Sequence, residues 1–138
     1  MQLGLTATGR FGEQDLGFIG ARSDGGSFAN GQQLAQHLEL VLKRPVASVI
    51  PAQKAIKTIA WCTGGAQGYF EGAIAAGAQA FITGEISEPQ AHYAREMGVA
   101  YFAAGHHATE RFGAPALAAH VAAQLGLAHA FIDIDNPA

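Results

Sequence analysis

Apolar residues along this chain fall into two kinds of run. VASVI (46–50), IKTIAWC (56–62), AFIT (80–83), VAYFAA (99–104) and AFIDI (130–134) are short and nearly unbroken. They have the length of strands and lack the polar alternation of a strand with one wet face. Between them, apolar positions recur every three or four residues: Leu34, Leu38, Val41 and Leu42 mark a helix that runs up to Lys43, Arg44 and Pro45. Further helices are predicted over about 67–76, entered through glycines, over about 88–97 and over about 108–125. The opening MQLGLTATGRFG mixes Gly, Thr and apolar residues without a helical period and reads as a strand or loop. A short strand at 16–21 ends in the turn Ser23-Asp24-Gly25-Gly26-Ser27. Strands alternating with amphipathic helices predict an α/β domain, residues 1–138, whose sheet is covered on both faces. No internal repeat, low-complexity tract or linker interrupts it.

Composition narrows the function classes. With 49% hydrophobic residues in 138, the chain has material for a core. Its net charge is −3, and its eight Lys and Arg stand singly or in pairs, so no basic stripe exists to neutralise a phosphate backbone and nucleic acid is not an expected partner. The single cysteine, Cys62, cannot form an internal disulfide and sits in the apolar IAWC, which suits a reducing compartment. No stretch approaches the roughly 18 to 20 apolar residues needed to span a bilayer. The first residues lack a signal-peptide signature, so a cytoplasmic location without membrane contact is the default expectation.

In open α/β sheets, reactive groups gather where strands end and helices begin. Three such junctions stand out: Cys62–Gly68 (CTGGAQG), Thr83–Glu88 (TGEISE) and Gly105–Glu110 (GHHATE). The third places two imidazoles and a carboxylate within five residues. His106 and Glu110 are four apart and His107 and Glu110 three apart, so either pair can aim at one ion from a helix. Alternatively, His106 is the last loop residue and Glu110 reaches back to it. Nitrogen plus carboxylate oxygen suits zinc, iron, manganese or nickel better than calcium. The bland alternative is a helix start capped by Thr109 and Glu110, with idle histidines. Two ligands do not complete a site. Glu85, Glu88 and His92 are the further candidates, and neither HExxH nor HxxEH occurs. The GGAQG loop matches no phosphate-binding fingerprint and reads first as a tight strand-to-helix turn. Glu85 and Glu88 form an acid–base pair or, more simply for Glu88, place charge at a helix start. His37, His120 and His129 have no nearby ligands and read as surface residues, as does His92.

The strings IAWCTGGAQGYF, AFITGEISEPQAHYARE, YFAAGHHATERFG and FIDIDNP, in this order and spacing, closely resemble the carboxyl-terminal half of the Nif-three-like family. These are dinuclear-metal, ring-forming proteins known as GTP cyclohydrolase I type 2 homologues. TGRFGE also resembles the family's linker into that half, so the likeness covers nearly the whole chain. The resemblance implies a layered α/β sandwich on a mixed sheet, a homohexameric ring and two divalent metal ions facing an internal cavity. His106 and Glu110 match metal ligands of the family, and His107 matches a neighbouring position. The other ligands, a histidine pair and an aspartate, belong to an N-terminal half with no counterpart here. The expectation is therefore a fragment, a mis-started gene or a product separated from its partner half, holding metal weakly and exposing apolar surface. The leading functional expectation is a metal-dependent hydrolase acting on a small, nucleotide-like substrate, with its catalytic residues unassigned. The rival is a non-catalytic oligomeric assembly or metal-storage module. A phosphate-binding domain centred on GGAQG ranks third.

Overall fold

The computed structural model describes residues 3–134 and 136. In chain order the elements are β1 (Leu5–Phe11), β2 (Gly17–Arg22), α1 (Gly31–Leu42), β3 (Ala47–Val49), β4 (Ile59–Trp61), α2 (Phe70–Ala75), β5 (Ala80–Thr83), α3 (Glu88–Met97), β6 (Ala100–Ala103), α4 (His106–Glu110) and α5 (Gly113–Leu125). Of two 3₁₀ turns, Glu13–Asp15 joins β1 to β2 and Gln67–Tyr69 leads into α2. The six strands form a single mixed sheet in the order β1-β2-β4-β5-β6-β3. Strands β4, β5 and β6 are parallel, while β1, β2 and β3 are attached antiparallel at the two sides.

The apolar runs of the parallel strands are unbroken because both faces are covered. Ile59, Trp61, Ile82 and Phe102 point to the side of α1, where Leu34, Leu38 and Leu42 meet them. Ala60, Phe81, Tyr101 and Ala103 point to the opposite side, under Phe70 and Ala73 of α2 and Ala94 of α3. There Phe70 stacks on Phe81 with centroids 5.6 Å apart and meets Tyr101 edge-on at 4.9 Å. The sequence-predicted α/β class and the double-sided cover are both observed.

Local chemistry sets the helix ends. The Asn30 side chain caps α1 by accepting from Gln33 N at 2.9 Å, while the Gln33 side chain accepts from Ala29 N, one residue before the cap, at 2.6 Å. Pro89 stands in the first turn of α3, and Gly98, at φ 68°, ends it in the left-handed conformation.

Two expectations are corrected. The helix expected over 108–125 is two helices, broken after Glu110. Pro115 is the cause: in a continuous helix its missing N–H would orphan the Arg111 carbonyl and its ring would collide with it. In the first turn of α5 it costs nothing. The expected strand AFIDI is not a strand. Phe131, Ile132 and Ile134 are exposed, Asp133 is ion-paired with Arg111, and none of these residues pairs with a sheet edge. Among the described residues, no helix is long and apolar enough to cross a membrane.

Candidate metal centre

The carboxyl ends of the parallel strands open into the three junctions singled out above, and main-chain hydrogen bonds lace these together. Gly84 N donates to Gly64 O at 2.9 Å, Ala104 N to Thr83 O at 2.8 Å and Gly105 N to Gly84 O at 3.0 Å. The buried Thr83 hydroxyl donates to Gly64 O at 3.1 Å. The sheet thus extends beyond its strands by one layer of loops, which fixes the spacing of the side chains above them. Two glycines permit this. A Cβ at Gly84 would lie 2.6 Å from Gly64 O and 2.7 Å from His106 Cα, and at Gly64, whose φ is +70°, 2.2 Å from Glu110 Oε1.

His106 is the first residue of α4, not a loop residue beside it. Its Nε2 lies 3.2 Å from Glu110 Oε2, one helical turn on, and its Nδ1 lies 2.5 Å from Glu85 Oε1 on the neighbouring loop. The imidazole is therefore held between two carboxylates. Its pKa is raised above the ordinary histidine value, first by the hydrogen bond to Glu85 and further by the charge of Glu110. The Glu85 carboxyl is lowered, chiefly by the same hydrogen bond, with help from the Gln67 amide at 3.4 Å. The Glu85 backbone is anchored from below: the Tyr101 hydroxyl, rising out of the core, donates to its carbonyl at 2.8 Å. Burial, aided by the Glu85 charge, pushes the Tyr101 phenol up, so it stays a donor. With Nδ1–H given to Glu85, loss of the Nε2 proton would leave a lone pair for an ion. This is the partner arrangement typical of metal-ligating histidines.

The bland alternative for this stretch does not hold in detail. Neither Thr109 nor Glu110 caps α4, since no side chain does. Thr109 Oγ1 accepts instead from Gly64 N at 2.9 Å and faces the carbonyls of Gly105 and His106 at 2.9 and 3.0 Å. It ties the helix to the glycine loop.

The other candidates separate. Glu88 and His92 face each other at 3.6 Å on the exposed side of α3 and touch neither His106 nor Glu110. His107 lines a different cavity, with Arg111 and Phe131, and among the described residues its buried Nε2 has no hydrogen-bond partner. His37 is not an idle surface residue: its Nε2 meets Leu3 O at 2.9 Å and its ring lies 5.3 Å from Phe28. His120 and His129 are exposed, as expected. Among the described residues, no group of three or more His, Cys, Asp or Glu side chains forms a ligand cage. Glu85 lies on the Nδ1 side of the ring and Glu110 on the Nε2 side, so of these three described side chains His106 and Glu110 face a common point. Sequence reasoning did not find Thr109 as a tie, Tyr101 as a support or Gly64 as the clearance for Glu110. Only the Gly-Gly pair signalled any of these.

Residues 1–137 match the model of the family described as Duf34/NIF3 (NGG1p interacting factor 3). The chain belongs to this family. It is 44% identical over 137 residues to the GTP cyclohydrolase 1 type 2 homolog of Neisseria meningitidis, covering 99% of this chain and 54% of that one. To the protein of the same name from Allochromatium vinosum it is 52% identical over 103 residues, covering 75% and 41%. The solved structure of protein ybgI, described as of unknown function, superposes with a TM-score of 0.90 at 39% identity, covering 99% of this chain and 54% of that one. The chain therefore spans about half the length of the curated relatives it matches. The resemblance read from the sequence motifs and the mixed-sheet α/β fold both stand.

Proposed function

We propose that this chain supplies part of a divalent-metal site, through His106 and Glu110, to a metal-dependent hydrolase acting on a small, nucleotide-like substrate. One observation carries the reading: a nitrogen and a carboxylate oxygen 3.2 Å apart, with the far ring nitrogen held by Glu85. The donor set fits zinc, iron, manganese or nickel. Gly64 fits it too, because any side chain there would occupy the space that Glu110 uses. Two such ions, when bound, would polarise a substrate oxygen and water. The residues prepare for that. Glu85 orients the imidazole and makes it more basic, Thr109 pins the start of α4, and Tyr101 fixes the loop that carries Glu85. With only two facing donors the chain holds an ion weakly unless further ligands arrive from another segment or molecule. The glycine loop is a poor phosphate cradle, because Glu85 and Glu110 both stand against it.

A second reading, a non-catalytic oligomeric assembly or metal-storage module, draws support from α5. Leu117, Val121 and Leu125 lie exposed along it and only Ala122 is buried. Such a face suits a homo-oligomer, a hexameric ring in the family's terms. Zinc and manganese titrations of the wild-type chain, His106→Ala and Glu110→Ala, paired with hydrolysis of GTP and p-nitrophenyl phosphate, test the first reading. It predicts that each substitution weakens binding and that any hydrolysis depends on metal. Metal bound equally by all three proteins overturns it. A ring that holds metal without hydrolysis favours the second.

A further inference from the structure

Glu110 has a second face. Besides meeting His106, it lines a cavity of about 680 Å³. Phe18, Trp61, Ile82 and Phe112 give this cavity an apolar lining, to which Thr63, Thr109 and Glu110 add a few polar side chains. Phe18 and Trp61 stack, with centroids 6.0 Å apart and planes inclined by 12°, and the Arg10 guanidinium lies 4.5 Å over the Phe18 ring. Trp61 and Ile82, both buried, form a deep floor. The size is that of a small-molecule site, and an apolar lining with a few polar groups is its usual composition.

We propose that this cavity is the recognition pocket for an aromatic ring on the substrate. The substrate class is then an aryl or heteroaryl compound whose anionic group meets an ion at His106 and Glu110 while its ring lies against Trp61. The anionic half of this assignment rests on the metal reading above; the ring half does not. Phe18 is stacked between Arg10 and Trp61, so this row offers the cavity ring edges, against which a substrate ring packs edge-on. A peptide segment is a poor occupant, because its backbone N–H and C=O groups would meet few polar side chains in this lining.

Trp61 is the only tryptophan in the chain, so its emission reports occupancy directly. Phenylphosphonate and methylphosphonate are titrated into the zinc-loaded protein, and benzyl alcohol into the metal-free protein, following Trp61 fluorescence. The same titrations are run on Ala116→Phe, which fills the cavity from an exposed helical position. Phenylphosphonate is expected to bind about 10- to 100-fold more tightly than methylphosphonate, the gain from burying a phenyl-sized group. Benzyl alcohol is expected to shift the Trp61 emission, and Ala116→Phe to abolish both effects. Equal affinity for the two phosphonates with no benzyl alcohol response overturns the proposal, as does a ring preference that survives Ala116→Phe. A benzyl alcohol response lost in Ala116→Phe, in a protein whose His106→Ala variant binds zinc normally, upholds the ring pocket and removes only the metal reading.

Discussion

Gly64→Ala separates backbone strain from damage to the site. At φ +70° an alanine pays the left-handed penalty of about 1–2 kcal/mol, which in a domain of this size lowers Tm by about 4–8 °C. The new Cβ would also lie 2.2 Å from Glu110 Oε1 and 3.1 Å from His106 Nε2. Glu110 is a half-exposed side chain on a flexible stem, so it swings aside and adds little to the stability loss. What it loses is its position opposite Nε2. Gly98→Ala is the matched control: φ is +68° and nothing lies within 4 Å of the added Cβ. Both variants are predicted to lose similar stability in urea or thermal unfolding. Only Gly64→Ala is predicted to lose zinc affinity, by about tenfold or more, the scale seen when metal-site support is removed. Equal zinc affinity in the two variants would refute the placing of Glu110 in a shared ion site.

Two further predictions follow from the same geometry. Glu85→Gln removes the charge that raises the His106 pKa. The pair stabilises the fold between the lowered carboxyl pKa of Glu85 and the raised pKa of His106, a contribution lost as pH rises through the latter. The variant is thus expected to lose more stability near about pH 6 than near about pH 9, and its His106 NMR titration to move towards the ordinary histidine value of about 6.5. Phe70→Ala deletes a ring that is 1% exposed and touches Phe81, Tyr93 and Tyr101, so urea denaturation is expected to show a loss of about 3–5 kcal/mol.

The parallel centre of the sheet was legible because burial on both faces leaves an unbroken apolar signature, as in AFIT and VAYFAA. Helix α3 was legible at both ends because Pro89 and Gly98 act through backbone constraints that need no tertiary context. The split between α4 and α5 was also written in the sequence, in Pro115, but a sustained apolar period from Ala108 onward masked it. AFIDI shows the opposite failure: its composition suits a strand, yet pairing depends on a free sheet edge, which no local pattern encodes. At the site, the three loops were legible as strand ends, and His106 and Glu110 as a helical pair. The link from Glu85 to Nδ1 was not, because it joins residues 21 apart through the sheet's register.

The proposed metal reading requires His106 and Glu110 to share a cation. Crystals of this chain soaked in zinc and measured on both sides of the zinc absorption edge test it most directly. An anomalous peak is expected within about 2.0–2.2 Å of both His106 Nε2 and a Glu110 carboxylate oxygen. A peak elsewhere at saturating zinc, or none between these two side chains, would contradict it.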